Sequence, residues 1–367
     1  MRILHLCDDQ GITYFGTKGA SIHLRSLAEN WRRLGHQVEV RLKKHSTIVD
    51  PEFVQTYSNF DELRRLVKRN TYDLVYERYS LGGLHGAQLA FELGIPHVLE
   101  VNAPLYAEAL QHRPHTVTEQ SLATERELWS KADLVVTVSR VMSDLITLVR
   151  GTLAPTIVIR NGFDKSIMAA ARRLPEARPS ARPRLVFVGH PKPWHGAEIL
   201  PIVVRELVEF GFDVECVVVG GGQLAERIQS TVKRLHITDR FSVTGEVSQL
   251  VAAAWLNSAT LGVAPYPLQE PFYFCPIKII EYLGAGLPIV TVDLGDIKSI
   301  AGDAAFYAEV DNPASIAALC AQLLRDHEWR DQLAVAARKR RKSFTWEHAA
   351  KQTIAAMTTL LQHPELA

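Results

Sequence analysis

Neither sign of charge is in excess: 41 lysines and arginines face 40 aspartates and glutamates among 367 residues, a formal net charge of +1. That balance speaks against a dedicated nucleic-acid binder, which carries a large positive surplus. Cysteine is scarce. Cys7, Cys216, Cys275 and Cys320 lie far apart with no C-x-x-C pair, so neither a disulfide framework nor a zinc ribbon is indicated. No apolar run is long enough to span a bilayer, Leu250 to Leu256 being among the longest. The opening Met-Arg-Ile-Leu-His-Leu-Cys meets Asp8 and Asp9 at once, too short an apolar stretch for a signal peptide. Together these absences predict a cytoplasmic protein. Missing too are a G-x-G-x-x-G after the first apolar run, a G-x-x-x-x-G-K-[ST] and any Asp-x-Asp. A dinucleotide fingerprint, a P-loop and the usual metal clamp for a nucleotide diphosphate lose their best evidence with them. His112 and His115 have no carboxylate or cysteine support nearby, and no metal is expected.

What is present is ordinary globular composition, 47% apolar and 22% charged, in a chain longer than one core usually holds. Short β-branched runs alternate with longer helical stripes. Arg2 to Cys7 reads as a strand, followed by Ile22, Leu24, Leu27, Ala28, Trp31 and Leu34 at helical spacing. The alternation continues to the strand Thr156 to Ile159, lapses through the Arg- and Pro-rich stretch 165–183, and restarts with the strand Arg184 to Val188. Two helices, Pro313 to Leu324 and Trp346 to Leu361, close the chain. Strands separated by helices pair in parallel through right-handed crossovers. The chain is therefore an α/β protein of two Rossmann-like, doubly wound domains, 1–164 and 184–344, facing each other across a cleft. Residues 165–183 read as the linker, and 345–367 as a C-terminal helix expected to pack back on the first domain.

Glycines mark the strand ends. Gly16-Thr17-Lys18-Gly19 precedes a helix, whose first N–H groups can meet an anion. Gly189 and Gly220-Gly221-Gly222 end the first two strands of the second domain, where a tight turn would demand glycine equally well. Sharper is the run Tyr273-Phe274-Cys275-Pro276-Ile277-Lys278-Ile279-Ile280-Glu281. Pro276 suits the first turn of a helix, and Lys278 and Glu281 share one of its faces. Two charges interrupting an otherwise apolar helix suit a lysine for phosphate and a carboxylate for sugar hydroxyls better than a surface ion pair.

These segments resemble the retaining glycosyltransferases of the GT-B fold, specifically family four (glycosyl transferases group 1). "ASIHLRSLAENWRRLGHQVEV", "ADLVVTVS", "IVIRNGFD", "LVFVGHPKPWHG", "FSVTGEV", "FYFCPIKIIEYLGAGLPIV" and "FTWEHAA" carry the likeness in order and spacing over nearly the whole chain. The resemblance implies transfer of a hexose or N-acetylhexosamine from a nucleotide diphosphate donor, commonly a uridine diphosphate sugar. The anomeric configuration is retained, and neither metal nor other cofactor is needed. The first domain would bind the acceptor and the second the donor. Glu281 would hold the ribose hydroxyls, and Val247, after Gly245, would lie against the base. The N–H groups of Phe274, Cys275, Lys278 and Ile279 around Pro276 would surround sugar and diphosphate, with Gly189 and His190 beside them. Lys192, His195 and Lys278, with the Gly16 and Gly19 amides, would neutralise the departing diphosphate.

Three positions depart from the family pattern. Tyr273 stands where the family's two-glutamate motif has its first acid, eight residues before Glu281. His195 replaces the usual lysine after Trp194, and Asn102 replaces a histidine after the fourth strand. With Lys192, these are the candidate catalytic residues. Acceptor contacts are expected from Arg78 and Tyr79 at a strand end, from Glu100, and from Tyr106, Glu108 and His112 in the loop after Val101. The basic run Arg338 to Lys342 reads as a solvated helix face, with an anionic membrane surface or a charged acceptor as the alternative. A nucleotide-sugar epimerase or hydrolase of the same fold, or a binding protein without catalysis, stays open as a rival reading. The acceptor is not specified.

Overall fold

The β-branched runs become the strands of two parallel sheets in the computed structural model, which describes residues 1–67, 71–151 and 155–363. The chain divides into two units. The first comprises 1–161, 273–275 and 346–367, of which 364–367 lie outside the described residues. Its elements are β1 (Arg2–Cys7), α1 (Gly19–Arg33), β2 (Gln37–Leu42), β3 (Val54–Thr56), α2 (Phe60–Leu66), β4 (Leu74–Arg78) and α3 (His85–Leu93). β5 (His97–Val101), α4 (Leu105–His112), α5 (Glu119–Lys131), β6 (Leu134–Thr137), α6 (Arg140–Arg150) and β7 (Thr156–Val158) follow.

The seven strands run in the order β3-β2-β1-β4-β5-β6-β7, all parallel. The order reverses between β1 and β4, so the ends of these two strands frame a crevice. The central strands are buried on both faces, which is why they read as continuous apolar runs. Trp31, fully buried on α1, packs its ring against His5 and Tyr76.

The second unit comprises 162–272 and 276–345. It opens with α7 (Lys165–Ala171), capped by Asp164, whose Oδ1 accepts from the Ser166 and Ile167 N–H groups. Residues 165–183 are therefore not a free linker: Met168 and Ala171 are buried, and the Met168 carbonyl accepts from Asn257 at 2.9 Å. Then come β8 (Arg184–Val188), α8 (Leu200–Glu209), β9 (Glu215–Val219), α9 (Gln223–Arg234), β10 (Phe241–Val243), α10 (Gln249–Asn257) and β11 (Leu261–Ala264). α11 (Ile277–Ala285), β12 (Ile289–Val292), α12 (Ile297–Ala301), β13 (Ala305–Ala308), α13 (Pro313–Arg325) and α14 (His327–Arg340) complete the unit. Its six strands lie in the order β10-β9-β8-β11-β12-β13. The last helix, α15 (Trp346–Gln362), belongs to the first unit, where Trp346, Ala350 and Met357 share a core with Leu24 and Trp31. No helix among the described residues is long and apolar enough to cross a membrane.

Two tertiary devices fix α11. The Tyr282 ring lies over Gly262 of β11, where an added Cβ would come within 2.6 Å of it. Its hydroxyl donates to the Val263 carbonyl at 3.0 Å and accepts from the Val188 N–H at 3.3 Å. At the other end, Arg341 Nη1 donates to the Gly284 carbonyl at 3.1 Å, and Arg340 reaches the Ser299 and Ile300 carbonyls of α12. The basic run is thus not simply a solvated face: two of its arginines tie down the carbonyl ends of α11 and α12, where helix carbonyls lack partners of their own.

Candidate functional site

In the second unit, the predicted donor residues gather at the carboxyl ends of β8, β9 and β10. Gly189 ends β8 and Gly220 ends β9, and a Cβ on Gly220 would stand 2.4 Å from the Gly189 carbonyl oxygen. Gly221 approaches the next strand's loop as closely, its notional Cβ 3.0 Å from the Glu246 N. Only glycine lets these three chain ends meet. His190 Nδ1 donates to the Gly221 carbonyl at 3.0 Å, and His195 Nδ1 to the His190 carbonyl at 2.8 Å. Gly245 and the half-buried Val247 lie in the loop from β10 to α10, beside Gly221. Lys192 is exposed.

His195 departs from the sequence expectation of a cation. Burial, followed by the charge of Lys278, lowers its pKa to about 2, overriding the His190 carbonyl that favours the charged form. The ring stands among Phe187, Trp194 and Tyr266. In this setting the imidazole is neutral.

α11 carries the remaining donor residues. Pro276 is its N-cap, and its first-turn N–H groups lack partners within the helix, as at any helix start. Ile279 is an exception to the sequence reading: its side chain is fully buried and its N–H donates to the Pro276 carbonyl at 3.0 Å, so that amide is spent inside the helix. Lys278, 7% exposed, places its ammonium 4.9 Å from the Phe187 ring centre and 4.8 Å from that of Tyr266. Cation–π contact of this kind offsets part of the cost of burying the charge. Burial lowers the lysine's pKa toward neutrality and raises that of half-buried Glu281, each against the opposing charge of the other. A buried lysine and a half-buried carboxylate on one helix face, both with shifted pKa values, suit a charged, hydroxyl-bearing ligand.

Tyr273, Phe274 and Cys275 belong to the first unit. Ser139 Oγ donates to the Tyr273 carbonyl at 2.6 Å, and the Asn161 side chain donates to the Cys275 carbonyl at 3.3 Å. The Tyr273 and Phe274 rings lie 4.2 Å apart in a core with Leu99 and Val101. Tyr273, 6% exposed, donates its hydroxyl to Glu108 Oε2 at 3.2 Å. Glu108 lies on α4, as do Tyr106 and the backbone of His112, so the region predicted as a loop is mainly helix. Pro104 caps it, and the Leu-Tyr-Ala-Glu-Ala-Leu that follows is made largely of helix formers. The His112 side chain lies outside the described residues. The Tyr106 N–H donates to Glu125 at 3.0 Å.

Glu100, expected to contact an acceptor, is instead enclosed at 1% exposure with both oxygens engaged. Oε2 takes His23 Nε2 at 2.9 Å and the Tyr76 hydroxyl at 2.7 Å; Oε1 takes Arg78 at 2.7 Å and Asn102 Nδ2 at 2.5 Å. Burial alone would raise its pKa, but His23, Arg78 and Tyr76 hold the carboxyl far below its usual range. Glu100 therefore anchors Arg78 and Asn102, turning the Asn102 amide so that its oxygen is left as the free acceptor. Tyr79 is buried in the β5–β6 core. His23 and Tyr76, which complete this cluster, are not among the site residues expected from the sequence. Gly19 opens α1, and Gly16 sits in the turn before it, its N–H donating to the Thr13 carbonyl at 3.2 Å.

Comparison with known proteins accords with this arrangement. Residues 17–167 match the family described as Glycosyltransferase Family 4, and residues 182–326 match Glycosyl transferases group 1. A D-inositol 3-phosphate glycosyltransferase of Nocardioides is 22% identical over 77% of this chain and 66% of its own length. The chain thus spans about two thirds of that relative's length. Sucrose-phosphate synthase of Thermosynechococcus elongatus superposes with a TM-score of 0.79 at 19% identity, covering 99% of this chain and 100% of its own. HepE of Anabaena, solved in complex with UDP, gives 0.77 at 19% identity over 98% and 100%. With both halves matched in order and each unit built on its own parallel sheet, the chain belongs to the family-four glycosyltransferases of the GT-B fold.

Proposed function

We propose that this protein is a retaining glycosyltransferase that moves a hexose or N-acetylhexosamine from a nucleotide diphosphate to a hydroxyl of a small molecule or glycan, without a metal. The observation that carries the reading is buried Lys278 and half-buried Glu281 on one helix, with the Lys278 side chain lying against Gly189 at the end of β8. Glu281 binds the ribose hydroxyls as an acceptor. Lys278, exposed Lys192 and the first-turn N–H groups of α11 take up the charge that grows on the departing diphosphate, aided by the helix dipole. Stabilisation of this kind acts mainly in the transition state, where the leaving-group charge develops. The donor is a uridine diphosphate sugar; the structurally similar HepE has also been solved in complex with UDP-glucose. Within the first unit, Asn102 keeps its amide oxygen as an acceptor while its Nδ2 is held by Glu100. Tyr273 does not supply the acid that its family position usually holds, yet Glu108 brings a carboxylate to its hydroxyl.

The test is a panel of nucleotide sugars screened by thermal shift, then incubated with sugar and polyol acceptors in excess EDTA. A uridine diphosphate sugar should raise the melting temperature, and the product should keep the donor's anomeric configuration by NMR. Stabilisation by no nucleotide sugar would refute donor binding. Activity restored only by magnesium or manganese would refute the metal-free reading, and an inverted product the retaining one.

A further inference from the structure

A second group of ionisable side chains stands at the carboxyl edge of the first sheet, unused by the donor chemistry above. Asp8 directly follows β1, Lys43 follows β2, Tyr57 follows β3, and His85 opens α3 after β4. They sit on the side of β1 and β4 where the strand order reverses, the place where open parallel sheets bind ligands. Asp8 Oδ1 accepts from the Tyr57 hydroxyl and from His85 Nδ1 at 2.9 Å, with Lys43 Nζ 3.7 Å away. Its Oδ2 is buried without a partner. Burial alone would raise the Asp8 pKa, but the hydrogen bonds from His85 and Tyr57 and the nearby Lys43 ammonium outweigh it and hold the carboxyl below its usual value.

The imidazole is fixed from several directions. A carboxylate can only accept, so the Nδ1 facing Asp8 carries the proton and Nε2 of the neutral ring carries the lone pair. Phe60 stacks on the ring at 5.5 Å with an interplanar angle of 14°, and Tyr57 meets it edge-on at 5.9 Å. The next residue is held as firmly: the Gly86 N–H donates to Glu77 Oε1 at 3.3 Å, and a Cβ there would come within 2.3 Å of Oε2. Glu77 is itself buried and bound by His97 at 2.8 Å. Two buried carboxylates thus fix consecutive residues at the start of α3. What they leave available is His85 Nε2, on a side chain 26% exposed and without a hydrogen-bond partner among the described residues.

We propose that Asp8 and His85 form a hydroxyl-binding subsite of the first unit, in which Nε2 accepts a hydrogen bond from a sugar or cyclic polyol. The ligand class rests on the glycosyltransferase reading; the geometry does not. Asp8 acts as a positioning residue, fixing the tautomer and strengthening Nε2 as an acceptor. Lys43, bonded to the Ser58 carbonyl at 3.2 Å and lying over the Tyr57 ring at 4.2 Å, holds the wall of the group in place.

The experiment is a titration of the wild-type protein with glucose, mannose, N-acetylglucosamine and myo-inositol, read by long-range proton–nitrogen NMR of the histidine rings. The His85 resonances are assigned by their loss in His85→Gln. The Nε2 resonance should shift saturably with at least one probe while the Nδ1 proton stays in place. In parallel, His85→Phe, which keeps an aromatic ring but no acceptor, should weaken that probe about tenfold, the scale of one good hydrogen bond. No saturable Nε2 shift with any of the four, or equal affinity in a folded His85→Phe variant, overturns the proposal. Should that variant not fold, the wild-type titration decides alone. UDP added to the same samples separates the two readings: UDP binding without a sugar response sinks this subsite, and a sugar response without UDP binding sinks the donor reading.

Discussion

His195 Nδ1 lies 2.8 Å from the His190 carbonyl oxygen. A carbonyl only accepts, so Nδ1 carries the proton, and Nε2 can donate to a phosphate oxygen only after gaining a second one. Burial and the neighbouring Lys278 and Lys192 charges oppose that gain, lowering the pKa to about 2. The sign for stability follows from linkage. The unfolded chain takes up a proton as pH falls through about 6.5 while the folded site does not, so this contribution is full above that value and is lost below it. His5, lowered to about 3 chiefly by burial, acts in the same direction. We therefore expect His195→Gln to reduce, without abolishing, the loss of stability between about pH 7 and pH 5, measured by urea unfolding. An undiminished loss would show that His195 does not contribute.

Lys278 should answer bound diphosphate by taking up a proton. A bound anion favours the charged lysine, whose pKa burial has lowered toward neutrality, so UDP binding should take up protons near neutral pH. Calorimetry in two buffers of different ionisation enthalpy reads this uptake. Lys278→Arg should remove most of it, because arginine stays charged throughout. Glu281→Ala should weaken a uridine diphosphate sugar at least tenfold, since hydrogen bonds to a charged group contribute about 1.5–3 kcal/mol. Unchanged donor affinity would remove Glu281 from the site.

Arg341 donates to the Gly284 carbonyl at the end of the helix that carries Lys278 and Glu281. Arg341→Ala should cost about 1–3 kcal/mol of stability, the scale of a charge-assisted bond to a helix carbonyl. Binding to anionic vesicles should be no different from wild type. A vesicle-binding defect with unchanged stability would return this run to the membrane reading.

How far these features were legible depended on whether they left a periodic trace. β1, β4, β5 and β8 are buried on both faces and stand out as apolar runs. α14 escaped because Leu333 and Ala337 are its only buried residues, too few to draw a helical stripe through a charged sequence. β13 is a four-residue edge strand, and α7 hides among the prolines and arginines of 165–183. Position alone pointed to Glu281 and Lys278, since charges in an apolar helix break its pattern. The bonds of Glu100 to His23 and of Tyr273 to Glu108 join residues 77 and 165 positions apart and leave no local signal at all.

Tyr273 and Glu108 should be exchangeable only as a pair. The phenol is buried and donates to the carboxylate at 3.2 Å; burial, then the charge and hydrogen bond of Glu108, raises its pKa well above the usual value, so it remains a donor at any working pH. Tyr273→Phe keeps the volume and removes one donor, and should cost about 1 kcal/mol by urea unfolding. Tyr273→Glu restores the acid usual in the family but sets two carboxylates against each other in a mostly buried setting, where like charges repel strongly and one must stay protonated. Stability and turnover of that variant should both fall. Adding Glu108→Gln to it leaves a single carboxylate facing an amide donor, and should recover much of the loss. Wild-type stability and turnover in Tyr273→Glu alone would show that the two positions are not coupled, and that Glu108 does not stand in for the missing acid.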